Sequence, residues 1–352
     1  MFKHGKANRY DLISPMNKLL TTITLLCFSI GAECQDLSLE SSIRPNFNGQ
    51  WENLAEVPFQ RAIALGDKRF YSQEEANKLL LEMSQAQVQR DQALSGDRPP
   101  PESGRQITNQ ADDDFDEFPT GLMQINGEYR TSIIIQPENG RIPRKSIVVD
   151  LYEQYRNRGF TDFDGPEFAG ANERCIHFGS LLPFMSTGGL SKYGQIVQTE
   201  DFIMILGEYP YYPRIIPIKE QSGNNDFFLD KLPKWMGHSY AYWEEDTLRI
   251  VTSKFRNEHS NRRGRSLPVS SQSSIIFESY KLHSPSEILY RWEFTDENFL
   301  TEPIVGEVLL TRMTGGRRIY EYACHEGNYN LAMILAGARR TDWEKQRGLN
   351  QQ

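Results

Sequence analysis

The residues of this chain best equipped for chemistry are two cysteines and the side chains beside them. Cys324 and His325 are neighbours in Tyr322-Ala323-Cys324-His325-Glu326-Gly327-Asn328-Tyr329, and Cys175 lies between Glu173-Arg174 and Ile176-His177. A thiolate beside an imidazole is a nucleophile with its base, whereas an even pair of thiols in an exported protein reads as a disulfide. Adjacent strand residues point to opposite faces, so on a strand Cys324 and His325 diverge, which favours a Cys175–Cys324 bond. Buried free thiols are the third reading. Closing so long a loop restricts the unfolded chain by about 4–5 kcal/mol in the chain-entropy account. Given that bond, residues two positions along share a side, which brings His177 toward Glu326 in a parallel arrangement or toward Tyr322 in an antiparallel one. A carboxylate that fixes an imidazole tautomer makes a general base. His177, His325 and Glu326 are therefore the acid–base candidates, against the plainer reading that they satisfy one another or the backbone at a turn.

Anion binding has its own candidates. Arg141, Arg174 and Arg214 sit next to apolar strand or turn segments; pointing inward, such arginines clamp a carboxylate or phosphate, and otherwise they stitch loop carbonyls or a nearby glutamate. The aromatic set Tyr209, Tyr211, Tyr212, Trp235, Tyr240, Tyr242 and Trp243 either lines a pocket or, at alternating spacing, divides between core and surface. Trp235 and Trp243 are the aromatic members of the candidate ligand set. Metal chemistry is unsupported: His177, His238, His259, His283 and His325 have no ligand spacing with one another, and paired Cys-x-x-Cys is absent. The acidic run Asp112–Glu117 fits no calcium loop. The zinc-helix, nucleophile-elbow and phosphate-loop motifs are missing, and no cofactor is expected.

The elements that must hold these residues follow from composition and periodicity. The chain has 352 residues, 38% of them apolar, and a formal charge of −8. That composition supports a real core and speaks against nucleic acid as a partner. Met16-Asn17-Lys18, the apolar run from Leu19 to Ala32 and the polar step after Cys34 have the layout of a secretory signal peptide over 1–34, with Met16 as an alternative start. The run is too short to span a membrane, which takes about 20 apolar residues. The expected location is the periplasm or the exterior. Residues 35–71 read as an extended arm that packs Trp51 on the body. A helix follows over 72–95, opened by the capping box Ser72-Gln73-Glu74-Glu75 and carrying Ala76, Leu79, Leu80 and Met83 at helical spacing. Residues 96–117 form a proline-rich and acidic loop.

Over 129–338 the period becomes that of strands: Arg130–Ile135, Gly194–Thr199, Phe202–Leu206, Pro213–Ile218, a hairpin over Tyr240–Phe255 turning at Glu244–Asp246, then Ser274–Leu282, Glu287–Phe294, Ile304–Met313 and Arg318–Cys324. Leu331, Ile334, Leu335 and Ala338 mark a short C-terminal helix, and 339–352 reads as a polar tail. The predicted fold is mainly β: one antiparallel meander, a lipocalin-like barrel or a sandwich, with an N-terminal helix and a short C-terminal helix.

Several word-like motifs also resemble those of a widespread family of uncharacterised exported, mostly Gram-negative, bacterial proteins. They are Asp97-Arg98-Pro99-Pro100-Pro101-Glu102, Arg130-Thr131-Ser132 with Gly140-Arg141-Ile142-Pro143, Glu173-Arg174-Cys175, Gln195–Thr199, Arg214-Ile215-Ile216-Pro217, Trp243-Glu244 with Asp246-Thr247-Leu248, and Tyr322 with Cys324–Tyr329. The resemblance covers about residues 49–338. It implies export and architecture but carries no established activity. The chain departs from it at Tyr211-Tyr212-Pro213, where relatives have a His-Asp step, and at Gly237-His238-Ser239, where they have Gly-Asp-Ser, so chemistry needing those groups is not expected here. The leading expectation is an exported soluble β-barrel that binds a small, partly apolar ligand in its interior or mouth. The alternatives are a barrel enzyme (isomerase, lyase or hydrolase) using His/Glu acid–base chemistry, and an envelope interaction protein with no pocket. The sequence leaves the oligomeric state open.

Overall fold

A computed structural model describes residues 44–90, 119, 121–147, 157–161, 163–168, 174–176, 181–185, 192–209, 212–220, 225–229, 231–256 and 270–348. The chain divides into two units, Met1–Ser41 and Ser42–Gln352. The first unit, with the expected signal segment, lies outside the described residues, as do the proline-rich and acidic loop, Tyr211 and His177.

The strands are β1 (Gly49–Glu52), β2 (Ala55–Glu56), β3 (Phe70–Tyr71), β4 (Gly121–Leu122), β5 (Gln124–Ile125), β6 (Glu128–Arg130), β7 (Ile134–Gln136), β8 (Tyr193–Gln198), β9 (Phe202–Gly207), β10 (Arg214–Pro217), β11 (His238–Glu244), β12 (Thr247–Ser253), β13 (Ile275–Ser284), β14 (Glu287–Thr295) and β15 (Ile304–Arg312); the helices are α1 (Gln73–Arg90) and α2 (Asn330–Gln346). The main sheet runs β10-β9-β8-β1-β15-β14-β13-β12-β11, with β7 added on β15. Nine antiparallel strands in a ring leave one parallel neighbour pair, and it falls between β10 and β11. Ile218 bridges Ala241 in parallel, and the Lys219 N–H donates to the Ala241 carbonyl at 2.8 Å. The result is a nearly closed barrel, which leaves little sheet edge open to other chains.

Alternation decides what lies inside. Ile276, Glu278 and Tyr280 of β13 face inward with Ile288, Tyr290, Trp292 and Phe294 of β14 and Ile304, Val308 and Leu310 of β15, all at most 2% exposed. Arg249, Lys281, Arg291 and Glu293 lie on the outer parity, which a lipid-facing band would exclude. Among the described residues no helix is long and apolar enough to cross a membrane.

Five rings cross the interior from wall to wall. Trp243 stacks on Phe47 at 5.9 Å, Phe47 meets Tyr280 at 6.5 Å, Tyr280 meets Tyr290 at 4.6 Å, and Tyr290 meets Phe184 at 6.4 Å. Two glycines make room for this filling. A Cβ at Gly306 would stand 2.2 Å from the Trp292 ring, and one at Gly194 would stand 2.5 Å from Phe184. Among the described residues, the middle of the barrel is filled by its own side chains.

Three elements differ from the sequence expectation, and a fourth agrees with it. Trp51 lies in β1, between β8 and β15, and not on an arm laid over the body. Residues 318–324 form no strand, because β15 already pairs with β14, β1 and β7. Their amides turn to side chains instead: Ile319 N–H to Gln50 and Tyr320 N–H to Glu208, both at 3.3 Å. The C-terminal helix extends to Gln346, through most of the expected polar tail. The N-terminal helix begins as its capping box requires. The Glu75 carboxylate accepts from the Ser72 N–H at 2.7 Å, and the Ser72 hydroxyl accepts from the Glu75 N–H at 3.3 Å.

Candidate functional site

Cys175 and Cys324 form the expected disulfide, with 5.7 Å between their Cα atoms. Neither lies on a strand, so the two-residue argument that set His177 beside Glu326 has no ladder to act on. His177 is outside the described residues, while His325 and Glu326 are exposed in a turn. The Asn328 side-chain amide donates to Cys175 Sγ at 3.1 Å, and the Tyr209 ring packs edge-on against Tyr322 at 4.7 Å.

The candidate ligand residues separate into three places. Arg141 is a stitching residue: its Nη1 donates to the Arg61 carbonyl at 2.8 Å. Trp243 belongs to the core through its stack on Phe47, with the Arg44 guanidinium 5.7 Å from its ring. Arg214 opens β10 and turns into the barrel, where its partner is a carboxylate of this chain. Its Nη1 and Nη2 donate to Glu278 Oε1 and Oε2 at 3.1 and 2.6 Å, and Nη2 also reaches Thr252 Oγ1 at 3.0 Å and Ser239 Oγ at 3.1 Å. The Tyr280 and Tyr290 hydroxyls donate to Glu278 Oε1 at 3.2 and 3.1 Å. Burial by itself would lower the Arg214 pKa, but the Glu278 carboxylate holds it above its ordinary value. Burial, reinforced by the Glu278 charge, pushes both tyrosines well above 10. Glu278 went unnoticed in the sequence, although an acidic residue on the parity of Ile276 and Tyr280 is a signal that could have found it.

Arg174 and Trp235 do meet. The Arg174 guanidinium carbon is 5.5 Å from the Trp235 ring centroid, and that of Arg256 is 5.0 Å from it. Trp235 lies in a pocket of about 420 Å³ lined by Cys175, Ile176, Tyr212, Pro233, Lys234, Met236, Gly237 and Arg256. Its position follows from the topology. Tyr212 precedes β10, Pro233–Gly237 precedes β11, and Arg256 follows β12, so three strand ends at the same mouth of the barrel build it. The disulfide brings in the fourth wall. Lys234 pairs with Phe255 across this mouth. Gly237 holds a positive φ, where a Cβ would stand 2.6 Å from the Ser253 carbonyl, so glycine lets the loop before β11 lie against the end of β12.

Two other depressions are more polar. One of about 540 Å³ beside β7 and β15 is lined by Arg69 and the carboxylates of Glu138, Glu293 and Glu302. One of about 200 Å³ lies on the outer face of β11–β14, among Tyr242, Arg249, Phe277 and Arg291. Among the described residues no group of three or more His, Cys, Asp or Glu could hold a metal ion. No family model, curated protein or solved structure matches this chain.

Proposed function

We propose that this protein is an exported binder of a small, partly apolar anion, held at the mouth of the barrel and not inside it. The observation that carries this reading is the Trp235 pocket: an apolar cleft of about 420 Å³ whose indole has two guanidiniums within 5.5 Å of its ring centroid. Such a volume lies within the roughly 300–1,000 Å³ of small-molecule sites, which pair apolar walls with a few polar anchors. Trp235, Met236, Ile176 and Pro233 would take the apolar body, while Arg174 and Arg256 would hold a carboxylate, sulfonate or phosphate. Export is supported by the apolar run of Leu19–Ala32 and by a disulfide of the kind that persists in oxidising compartments.

The test uses anilinonaphthalene sulfonate, an aromatic anion of matching character. The folded protein should enhance its fluorescence saturably. Trp235→Ala and Arg174→Ala should each weaken binding by about tenfold, the loss of one cation–π or charge-assisted contact. Binding that is unchanged in both variants would refute the site.

A further inference from the structure

The loop that supplies Trp235 exposes more apolar surface than the pocket uses. It reads Phe227-Phe228-Leu229-Asp230-Lys231-Leu232-Pro233-Lys234-Trp235-Met236. Its root is anchored: Phe227 and Phe228 pack on Tyr240 of β11 at 5.4 and 5.6 Å, and the Leu232 carbonyl is 2.9 Å from His238 Nε2. Its tip is not covered. Leu229 is 75% exposed and Leu232 is 81% exposed, and Tyr212 across the pocket is 52% exposed. An exposed leucine needs no explanation alone; two on one rigidly rooted loop, beside an indole and a phenol, make a raised apolar rim.

Among the described residues, the charge around that rim has the opposite sign to the molecule. The chain carries −8 overall, yet the described cations at this mouth are Arg174, Lys231, Lys234, Lys254 and Arg256. Backbone hydrogen bonds hold three of them side by side, from Lys234 N to Lys254 O at 3.0 Å and from Arg256 N to Lys234 O at 2.9 Å. Among the described residues of this mouth, cations predominate.

We infer that this mouth docks on an anionic lipid bilayer, with Leu229 and Leu232 entering the headgroup–acyl boundary and the lysines and arginines lying against lipid phosphates. Protruding single leucines suit a soft surface that closes around them, whereas a protein partner would need preformed holes to receive them. Trp and Tyr, with an apolar body and a polar edge, favour that boundary, and basic side chains beside inserted apolar ones strengthen attachment to anionic lipid. The docking does not require the pocket to be filled. It would place the pocket opening at the depth where an amphiphilic anion leaves a membrane.

The experiment is co-sedimentation of the full chain with vesicles of phosphatidylcholine alone and of phosphatidylcholine mixed with phosphatidylglycerol. The protein is expected to sediment with the mixed vesicles, to stay in solution with the neutral ones, and to be released by added salt. Leu229→Asp combined with Leu232→Asp alters exposed side chains outside the pocket lining. It should cut vesicle binding by roughly tenfold or more, with circular dichroism and anilinonaphthalene sulfonate binding unchanged. Equal binding to both vesicle types, binding to neither, or full binding by the double variant would each overturn the inference. A dimer that the double variant dissociates, without vesicle binding, would overturn it too and make a second copy the occupant.

Discussion

A carboxylate on an inward strand position is expensive unless its lone pairs are used, and Glu278 accepts from Arg214 twice, from Tyr280, from Tyr290 and, at 3.4 Å, from Thr252. Breaking one side of such a pair strands the other charge in a medium of low polarity, at a cost of about 3–5 kcal/mol. Glu278→Gln should therefore destabilise the fold by about that much in urea unfolding. Arg214→Met with Glu278→Leu, which removes both charges, should be markedly more stable than either single change. A double variant no better than the worse single would show that the network contributes beyond the charge pair. The neighbouring phenols give a pH signature. Their raised pKa means the fold favours the neutral form, so their stabilisation is complete below about pH 10 and is lost as pH rises above that value. In an alkaline absorbance titration two tyrosines should stay neutral until the protein unfolds. Replacing both by Phe should remove that delayed step.

At the scale of elements, β14 and β15 depend on an unequal pair of facing residues. Trp292 is stacked on Phe59 at 5.8 Å, so its ring has no direction in which to retreat, and Gly306 opposite provides the space. Gly306→Ala should cost about 1–3 kcal/mol by overpacking. Unfolding in denaturant checks it, and combining it with Trp292→Phe should recover part of the loss. The strands that were legible, β8 to β15, are those that carry several apolar, mostly β-branched or aromatic, residues between turn residues. Strand β1 was not, because Gly49-Gln50-Trp51-Glu52 carries a single large apolar side chain and opens with glycine. The Arg318–Cys324 segment shows the opposite error: its residues suit a strand, but pairing needs a free neighbour, and both sides of β15 are occupied.

For the whole molecule the long-range ties matter most. The disulfide spans 149 positions, and Arg317 pairs with the largely buried Glu52 at 2.7 Å. Glu307 accepts from Arg130 at 3.0 Å and from Arg291 at 2.9 Å, linking the small β3-β6-β5 sheet to the barrel wall. Cys175→Ala with Cys324→Ala should lower stability by up to about 4–5 kcal/mol. Because Cys175 and Ile176 line the Trp235 pocket, the same variant should also weaken anilinonaphthalene sulfonate binding under conditions where it is folded. Native-like stability in urea and unchanged probe binding would together show that the bond ties nothing the molecule needs.

From sequence alone came the properties written in short stretches of chain: the alternation that marks strands and their inward face, the capping box of α1, and the cysteine pair. They are legible because backbone geometry sets the period of two or 3.6 residues locally. Which inward arginine meets a carboxylate and which meets an indole was decided only by the closed barrel. Arg214 and Glu278 lie 64 positions apart and meet because the register of eight strand pairings and the closure at Ile218–Ala241 bring β10 back beside β11. Arg174, Arg256 and Trp235 meet because a disulfide and three strand ends converge on one mouth. Each contact is a sum over many pairings, and no window of sequence contains that sum.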